Sequence, residues 1–279
     1  MTIARHLPAL PGTRHVRPTD GVLVEIAETP IFFETDDPAF RAIVESRYAG
    51  FLNPSATPKY QFKIRLAPSQ IASDKDIEVF RKDSVWFLER GDFQADWDLQ
   101  TGAGQIIQSP NPYSLDTVLR IVHSLVLVEQ GGFLVHAASA IRNGRGFLFA
   151  GVSGAGKTTL SRLAPPDATV LTDEISYVLK DGDAYKAYGT PFAGELARVG
   201  TNVSAPLAGL YLLEKGIENK IEPIEPAAAA WAIMRHILFF AHDEELVKKV
   251  FDSVMTFVSS VRPARLIFTP DERAWELIR

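Results

Sequence analysis

The 279-residue chain contains no cysteine. This excludes disulfide bonds, thiolate metal sites and cysteine nucleophiles, and it agrees with a reducing cytoplasm, where we expect the protein. Long apolar runs are also missing. The most apolar stretches are interrupted by Arg120 and His123, or by Arg235 and His236, well short of the roughly 18 residues that a membrane-spanning helix needs. The net charge of −5 gives no sign of a nucleic-acid surface. Composition therefore predicts a cytoplasmic protein with neither a membrane nor a nucleic-acid partner.

Acidic residues are absent from the first 19 positions, which carry Arg5, Arg14 and Arg17. This stretch has no continuous apolar core, so it does not have the pattern of a secretory signal. We expect a loosely ordered basic tail, and the alternative is a targeting presequence.

Residues 1–112 are predicted to form a small antiparallel β-rich subdomain. Alternating patterns indicate strands at 21–27, 60–66, 84–88 and 93–97, and residues 37–48 read as a helix with Ala39, Ile43 and Tyr48 facing inward. The two prolines of Ser109-Pro-Asn-Pro112 favour a boundary there. The second predicted unit spans residues 113–279.

The second unit is predicted to alternate helices with strands. Ser114 is expected to cap a helix over 114–130, and Asn143-Gly144 predicts a hairpin between strands 133–141 and 146–150. Asp181-Gly182 indicates a second hairpin. Two more helices are expected at 226–240 and 243–261, the latter with its apolar stripe inward: Leu246, Val247, Val250, Phe251, Val254 and Val258.

A phosphate-loop motif follows the first hairpin. Residues 151–159 read Gly-Val-Ser-Gly-Ala-Gly-Lys-Thr-Thr, which matches G-x-x-x-x-G-K-[ST]. Backbone N–H groups of such a loop, together with the helix dipole, bind phosphate. Lys157 is predicted to reach the β- and γ-phosphates of a nucleoside triphosphate such as ATP, and Thr158 to bind Mg²⁺. The predicted nucleotide-binding residues are Gly151, Val152, Ser153, Gly154, Ala155, Gly156, Lys157, Thr158 and Thr159.

Two acids end the next predicted strand, at Asp173 and Glu174. Because strand ends of an α/β sheet open onto one edge, we expect these carboxylates to converge with the phosphate loop. Phosphoryl transfer to a hydroxyl needs a metal-binding carboxylate and a base, and both acids are candidates for these roles. The alternative is that they only cap the following segment.

Two further residues are candidates with plainer alternatives. His136 lies in the middle of the first hairpin strand, where a lone histidine is more often structural. Arg198 follows the loop 189–195, whose glycines and proline suit a segment that closes over a ligand. An arginine there would neutralise charge on the transferring phosphoryl group, whereas the alternative is a solvated surface turn.

The run Phe147-Leu-Phe-Ala-Gly-Val-Ser-Gly-Ala-Gly-Lys-Thr-Thr-Leu160, with the hairpin before it and the acid pair after it, resembles the HPr serine kinase family. That family shares its nucleotide core with phosphoenolpyruvate carboxykinase, so the resemblance implies an α/β fold with a mixed-sheet P-loop kinase core. It covers residues 115–180 best. The resemblance also implies that His136 lies near the acceptor, that Asp173 takes the serine proton, and that Glu174 is a metal ligand where the family usually has aspartate.

The family's Arg-Gly signature after the acid pair is not visible here, which argues against HPr as the substrate. The sequence therefore predicts an ATP- and Mg²⁺-dependent kinase with another hydroxyl acceptor, such as a serine of a peptide or small protein. The two alternatives are a small-metabolite kinase of the shikimate-kinase sort and a non-catalytic ATP-binding regulatory module.

Overall fold

The computed structural model describes residues 21–67 and 76–279. The predicted basic tail lies outside these residues. Within the described ranges no helix is both long and apolar enough to cross a membrane. The architecture is mixed α/β, with two mixed β-sheets.

The first sheet has seven strands in the order β1-β2-β3-β7-β6-β5-β4. The strands are β1 (Gly21–Ile26), β2 (Thr29–Thr35), β3 (Tyr60–Leu66), β4 (Glu78–Lys82), β5 (Val85–Arg90), β6 (Phe93–Asp98) and β7 (Ala103–Gln108). The prediction of an antiparallel sheet is wrong, because β3 runs parallel to both β2 and β7. The chain returns to the starting edge through helix α1 (Pro38–Arg47) before β3, and through the β4–β6 meander before β7.

Helix α1 begins after Asp37, whose carboxylate accepts the N–H of Phe40 at 2.8 Å. The buried stripe is Phe40, Val44 and Tyr48, spaced four residues apart. Tyr48 is therefore confirmed as an inward residue. Ala39 is exposed and Ile43 is 39% exposed, so both predictions are wrong by one position.

The second sheet contains nine strands, seven of them in the order β11-β9-β10-β14-β13-β12-β8, with β15 and β16 continuing from β14. Its elements, with the surrounding helices, are α2 (Pro112–Glu129), β8 (Phe133–Val135), β9 (Ala137–Arg142), β10 (Arg145–Ala150), α3 (Lys157–Arg162), β11 (Ala168–Thr172), β12 (Ser176–Asp181), β13 (Ala184–Tyr188), β14 (Ser204–Lys215), β15 (Lys220–Pro223), α4 (Pro226–Met234), α5 (Glu244–Ser260) and β16 (Arg262–Phe268). A 3-10 helix over Glu272–Leu277 follows.

Both predicted hairpins are confirmed, β9–β10 around Asn143-Gly144 and β12–β13 around Asp181-Gly182. The cap of α2 is Asn111 rather than Ser114, because the Asn111 side chain accepts the N–H groups of Tyr113 and Ser114. The predicted strand 133–141 is divided at His136. Its first part pairs with β12, and its second part pairs with β10 and β11.

The last two helices also differ from the prediction. Helix α4 ends at Met234 instead of 240, since the following residues pair with β8: the N–H of Leu238 donates to the carbonyl of Leu134, and the N–H of His136 to that of His236. In α5, Leu246, Val250, Val254 and Val258 are buried as predicted. Val247 and Phe251 are 47% and 42% exposed, so their inward placement is wrong.

Helix α2 lies where side chains of both sheets meet. One apolar cluster contains Trp97 and Ile106 of the first sheet, Leu119 of α2, and Tyr177 of the second sheet. The division of the chain at residue 112 stays a prediction. Helix α2 also packs against β8 and β12, so it connects the first sheet to the second.

Candidate functional site

Three chain segments leave the second sheet at the same edge. Ala150, the last residue of β10, pairs with Ala137, the first residue of β9, and Thr172 at the end of β11 pairs with Ser139. Because β9 runs antiparallel to both neighbours, the end of β10, the start of β9 and the end of β11 lie side by side. The phosphate loop, His136 and the acid pair therefore begin at one edge, where ligands of α/β sheets commonly bind.

The phosphate loop is a compact turn between β10 and α3. Gly154 and Gly156 have left-handed φ angles of 77° and 107°. A Cβ atom on Gly156 would also lie 2.6 Å from the Phe268 ring, so glycine is required there for two reasons. The N–H of Ala155 donates to the carbonyl of Val152 at 3.0 Å and closes the turn.

Lys157 is buried although it carries a charge. Its Nζ donates to the carbonyl of Gly151 at 2.9 Å, across the base of the loop. Burial lowers the pKa of Lys157, while the charges of Glu174 and Glu195 raise it in part. The amine is therefore held by the loop and interacts electrostatically with Glu174 and Glu195.

Asp173 is only 3% exposed, and both of its carboxylate oxygens accept backbone N–H groups. Oδ1 accepts from Gly194 at 3.2 Å and Oδ2 from Leu196 at 3.0 Å. The segment directly after the acids is instead capped by Thr172, whose hydroxyl accepts the N–H groups of Glu174 and Ile175. Asp173 thus holds the loop 189–200 and does not cap its own neighbours.

Gly194 lies directly against the acid pair. A Cβ atom at this position would lie 2.8 Å from Oε2 of Glu174 and 2.9 Å from Oδ2 of Asp173. Such distances are closer than van der Waals contact, so a larger residue would force the loop or the carboxylates to shift. The loop that was predicted to close over a ligand is in contact with the two acids.

His136 faces Glu174 across the site, with Nε2 3.7 Å from Oε1. The pKa of His136 is lowered by burial and by the positive charges of Lys157 and Arg120, and Glu174 opposes this shift. At neutral pH the lowered pKa leaves the imidazole mainly uncharged. The divided strand places this histidine at the sheet edge, where β8 ends and β9 begins.

Replacing Glu174 with glutamine is expected to lower the pKa of His136 further, because the variant loses the one negative charge that raises it. Proton NMR titration of the histidine ring signals would measure the change. Glu129→Gln is the matched control, since Glu129 pairs with Lys249 on the surface. A His136 pKa that is unchanged or higher in Glu174→Gln would contradict the arrangement.

The structure places Arg198 differently from the other candidates. Its side chain is exposed, and within the described residues it forms neither a hydrogen bond nor an ion pair. Its catalytic role stays a prediction. Two basic groups that interact electrostatically with His136 were missed by the sequence analysis: Arg120 of α2, and His236, whose pKa is lowered by burial and by the charges of Lys157, His136 and Arg235. Both come from distant parts of the chain, so no local motif marks them.

In the described part of the chain, no group of three histidine or acidic side chains lies close enough together to bind one metal ion. The oxygen donors near the loop are the hydroxyl of Thr158 and the carboxylates of Asp173 and Glu174. Oxygen donors of this kind suit Mg²⁺, which commonly takes only one or two carboxylates and fills its remaining positions with water and phosphate.

This edge of the sheet, with its phosphate-loop motif and acid pair, defines a mixed α/β protein with a candidate anion-binding site. The family model of the SynChlorMet cassette protein ScmC matches residues 112–261, more than half of the chain. The chain belongs to this family.

No curated protein matches the sequence. Among solved structures, the Hpr(Ser) kinase/phosphatase from Coxiella burnetii matches with 12% identity and a TM-score of 0.24, over 43% of this chain and 93% of that one. At this TM-score the likeness carries no argument about function.

Proposed function

We propose that the protein is an ATP- and Mg²⁺-dependent kinase that transfers the γ-phosphoryl group to a hydroxyl acceptor. The observation that carries the proposal is the convergence at one sheet edge of a phosphate-loop motif, its buried lysine and two carboxylates. A glycine-rich turn without a ligand would not need a buried lysine, because burying an amine without a function costs free energy.

The loop residues 151–159 would bind the nucleotide phosphates. Lys157 supports this role because its amine is held at the base of the loop by a hydrogen bond to the carbonyl of Gly151. The negative charges of Glu174 and Glu195 favour its protonated form. A positive charge kept in such a position stabilises negative charge that develops on a phosphoryl group.

Thr158 and Glu174 would hold Mg²⁺, with Asp173 as a further oxygen donor. Glu174 suits the metal better than Asp173, because both oxygens of Asp173 already accept backbone N–H groups of the loop. When bound, Mg²⁺ would neutralise phosphate charge.

Asp173 would act as the base. Two N–H groups keep its carboxylate in one orientation, and each oxygen retains a second lone pair that could accept the proton of the acceptor hydroxyl. As the proton moves to Asp173, the hydroxyl oxygen bonds to the γ-phosphorus and the bond to the β–γ bridging oxygen breaks, so that ADP leaves. Uncharged His136, beside Glu174, would help to orient the acceptor.

The direct test is to incubate the purified protein with γ-labelled ATP and a cell extract, and to identify the molecule that takes the label. We expect label on a peptide or protein hydroxyl, and we expect it to disappear with Lys157→Ala, because the phosphates lose their positive partner. Lys215→Ala, an exposed lysine at the end of β14, is the matched control and should keep the label.

The other outcomes distinguish the alternatives. Label on a small metabolite would identify a metabolite kinase. Nucleotide binding without transfer or hydrolysis would indicate a regulatory module. Label that persists with Lys157→Ala would come from a different protein and would overturn the proposal.

A further inference from the structure

The side chain of Arg120 projects from α2 onto an aromatic ring of the loop that covers the acids. Its guanidinium carbon lies 4.7 Å from the centre of the Phe192 ring, and Phe192 is fully buried. Stacking on an aromatic face fixes the plane of a guanidinium group and leaves its N–H edge free to bind a planar or tetrahedral anion.

Arg120 has no carboxylate partner among the described residues. Its Nε atom is buried without a hydrogen-bond acceptor, and no ion pair joins it to an acid. Asp116, one turn earlier on α2, is already bound by Arg47 and by the Tyr48 hydroxyl, each at 2.6 Å. A partly buried guanidinium group without a counter-ion is costly to maintain unless an anion from outside the chain completes it.

The position of Arg120 connects it to the site. Phe192 precedes by two residues Gly194, whose N–H donates to Asp173. On the other side α2 packs against β8, the strand that ends at His136. Arg120 therefore lies between the strand that leads to His136 and the loop 189–200, which contacts the acids.

We propose that Arg120 binds the terminal phosphate of the nucleotide and supplies the second positive charge of the site beside Lys157. This inference rests on the proposed kinase function. A guanidinium group can bind two phosphate oxygens at once, which a lysine amine cannot do with the same geometry. Arg120 would consequently discriminate a nucleoside triphosphate from a diphosphate.

Calorimetric titration with a non-hydrolysable ATP analogue, ADP and inorganic pyrophosphate, each with Mg²⁺, tests the proposal. For Arg120→Gln we expect the affinity for the ATP analogue to fall by about tenfold or more, as for loss of a charged hydrogen bond, while ADP affinity changes by less than about threefold. Arg120→Lys should recover part of the loss. Arg162→Gln, which removes an exposed arginine at the end of α3, is the matched control.

Equal losses for the ATP analogue and ADP would show a structural role and overturn the proposal, as would unchanged binding of both. Thermal melting of each variant separates misfolding from lost affinity, and Arg120→Lys preserves the charge if the glutamine variant unfolds. If the wild-type protein bound no nucleotide, the kinase proposal would fail by itself. The pyrophosphate titration would then decide whether Arg120 binds an anion, and unchanged pyrophosphate affinity in Arg120→Gln would overturn that too.

Discussion

Asp173→Asn is expected to lower the rate of phosphoryl transfer by roughly 10²–10⁴-fold, the usual contribution of a general base, while nucleotide binding stays nearly intact. The amide cannot take a proton from the acceptor hydroxyl. Single-turnover transfer from γ-labelled ATP would measure the chemical step, and titration with an ATP analogue would measure binding. Asp183→Asn, an exposed aspartate in the β12–β13 turn, is the matched control and should transfer at the normal rate.

The loop contacts of Asp173 add a second consequence. The asparagine NH₂ group donates hydrogen bonds, so it cannot accept the N–H of both Gly194 and Leu196 as the carboxylate does. One of the two contacts is lost, and the loop 189–200 is less firmly held. A loss of activity in Asp173→Asn could therefore come from the base or from the loop.

Gly194→Ala separates these two effects. The added methyl group would press on both acids and displace the loop while leaving the Asp173 carboxylate chemically intact. If the base is the main effect, Gly194→Ala should cost far less activity than Asp173→Asn. Normal transfer by Asp173→Asn would show that the base assignment is wrong.

The parts of the site that sequence reasoning could predict are those that depend on short stretches of the chain. The phosphate loop, the Asn143-Gly144 hairpin and the acids after β11 are local signals, because each depends on residues close in the chain and on turn chemistry. The expected meeting of Asp173 with the loop depended only on strand direction, and the register of β9 with β10 and β11 agrees with it.

The remaining features depend on contacts between distant residues. The break at His136 follows from pairing with the segment after α4, roughly a hundred residues away, which a strand pattern cannot reveal. In the same way, Arg120 meets Phe192 only because α2 packs beneath the loop 189–200. The parallel pairing of β3 was missed because the alternation of apolar and polar residues shows which side chains face the core, but not in which direction neighbouring strands run.

His123 of α2 is expected to make the protein lose stability on acidification. The ring is fully buried beside Tyr177, at 5.0 Å between centroids, and neither ring nitrogen has a hydrogen-bond partner among the described residues. Burial lowers the pKa of His123 to about 3. An unfolded histidine has a pKa of about 6.5, so between these values the unfolded chain binds more protons than the folded one.

Stability therefore falls as the pH decreases from about 6.5 towards 3. At about 1.4 kcal/mol per pKa unit the full effect is roughly 5 kcal/mol, a large part of the free energy of unfolding of an ordinary domain.

His123→Leu removes the titrating ring at similar volume and leaves no unpaired nitrogen, so its stability at pH 7 should be close to that of the wild type. Urea unfolding at pH 7, 6, 5 and 4 would measure the free energy of unfolding of both proteins.

Acids such as Asp92, whose pKa is lowered mainly by hydrogen bonds from Arg90 and Ser114 against the opposing effect of burial, contribute equally to both. The difference between the two curves therefore isolates His123. It should grow in favour of the leucine variant as the pH falls, whereas His242→Leu, at an exposed histidine, should follow the wild type. Parallel curves for wild type and His123→Leu would contradict the prediction. They would mean that the buried ring is protonated without cost, which requires a hydrogen-bond acceptor for its N–H group that the apolar surroundings do not offer.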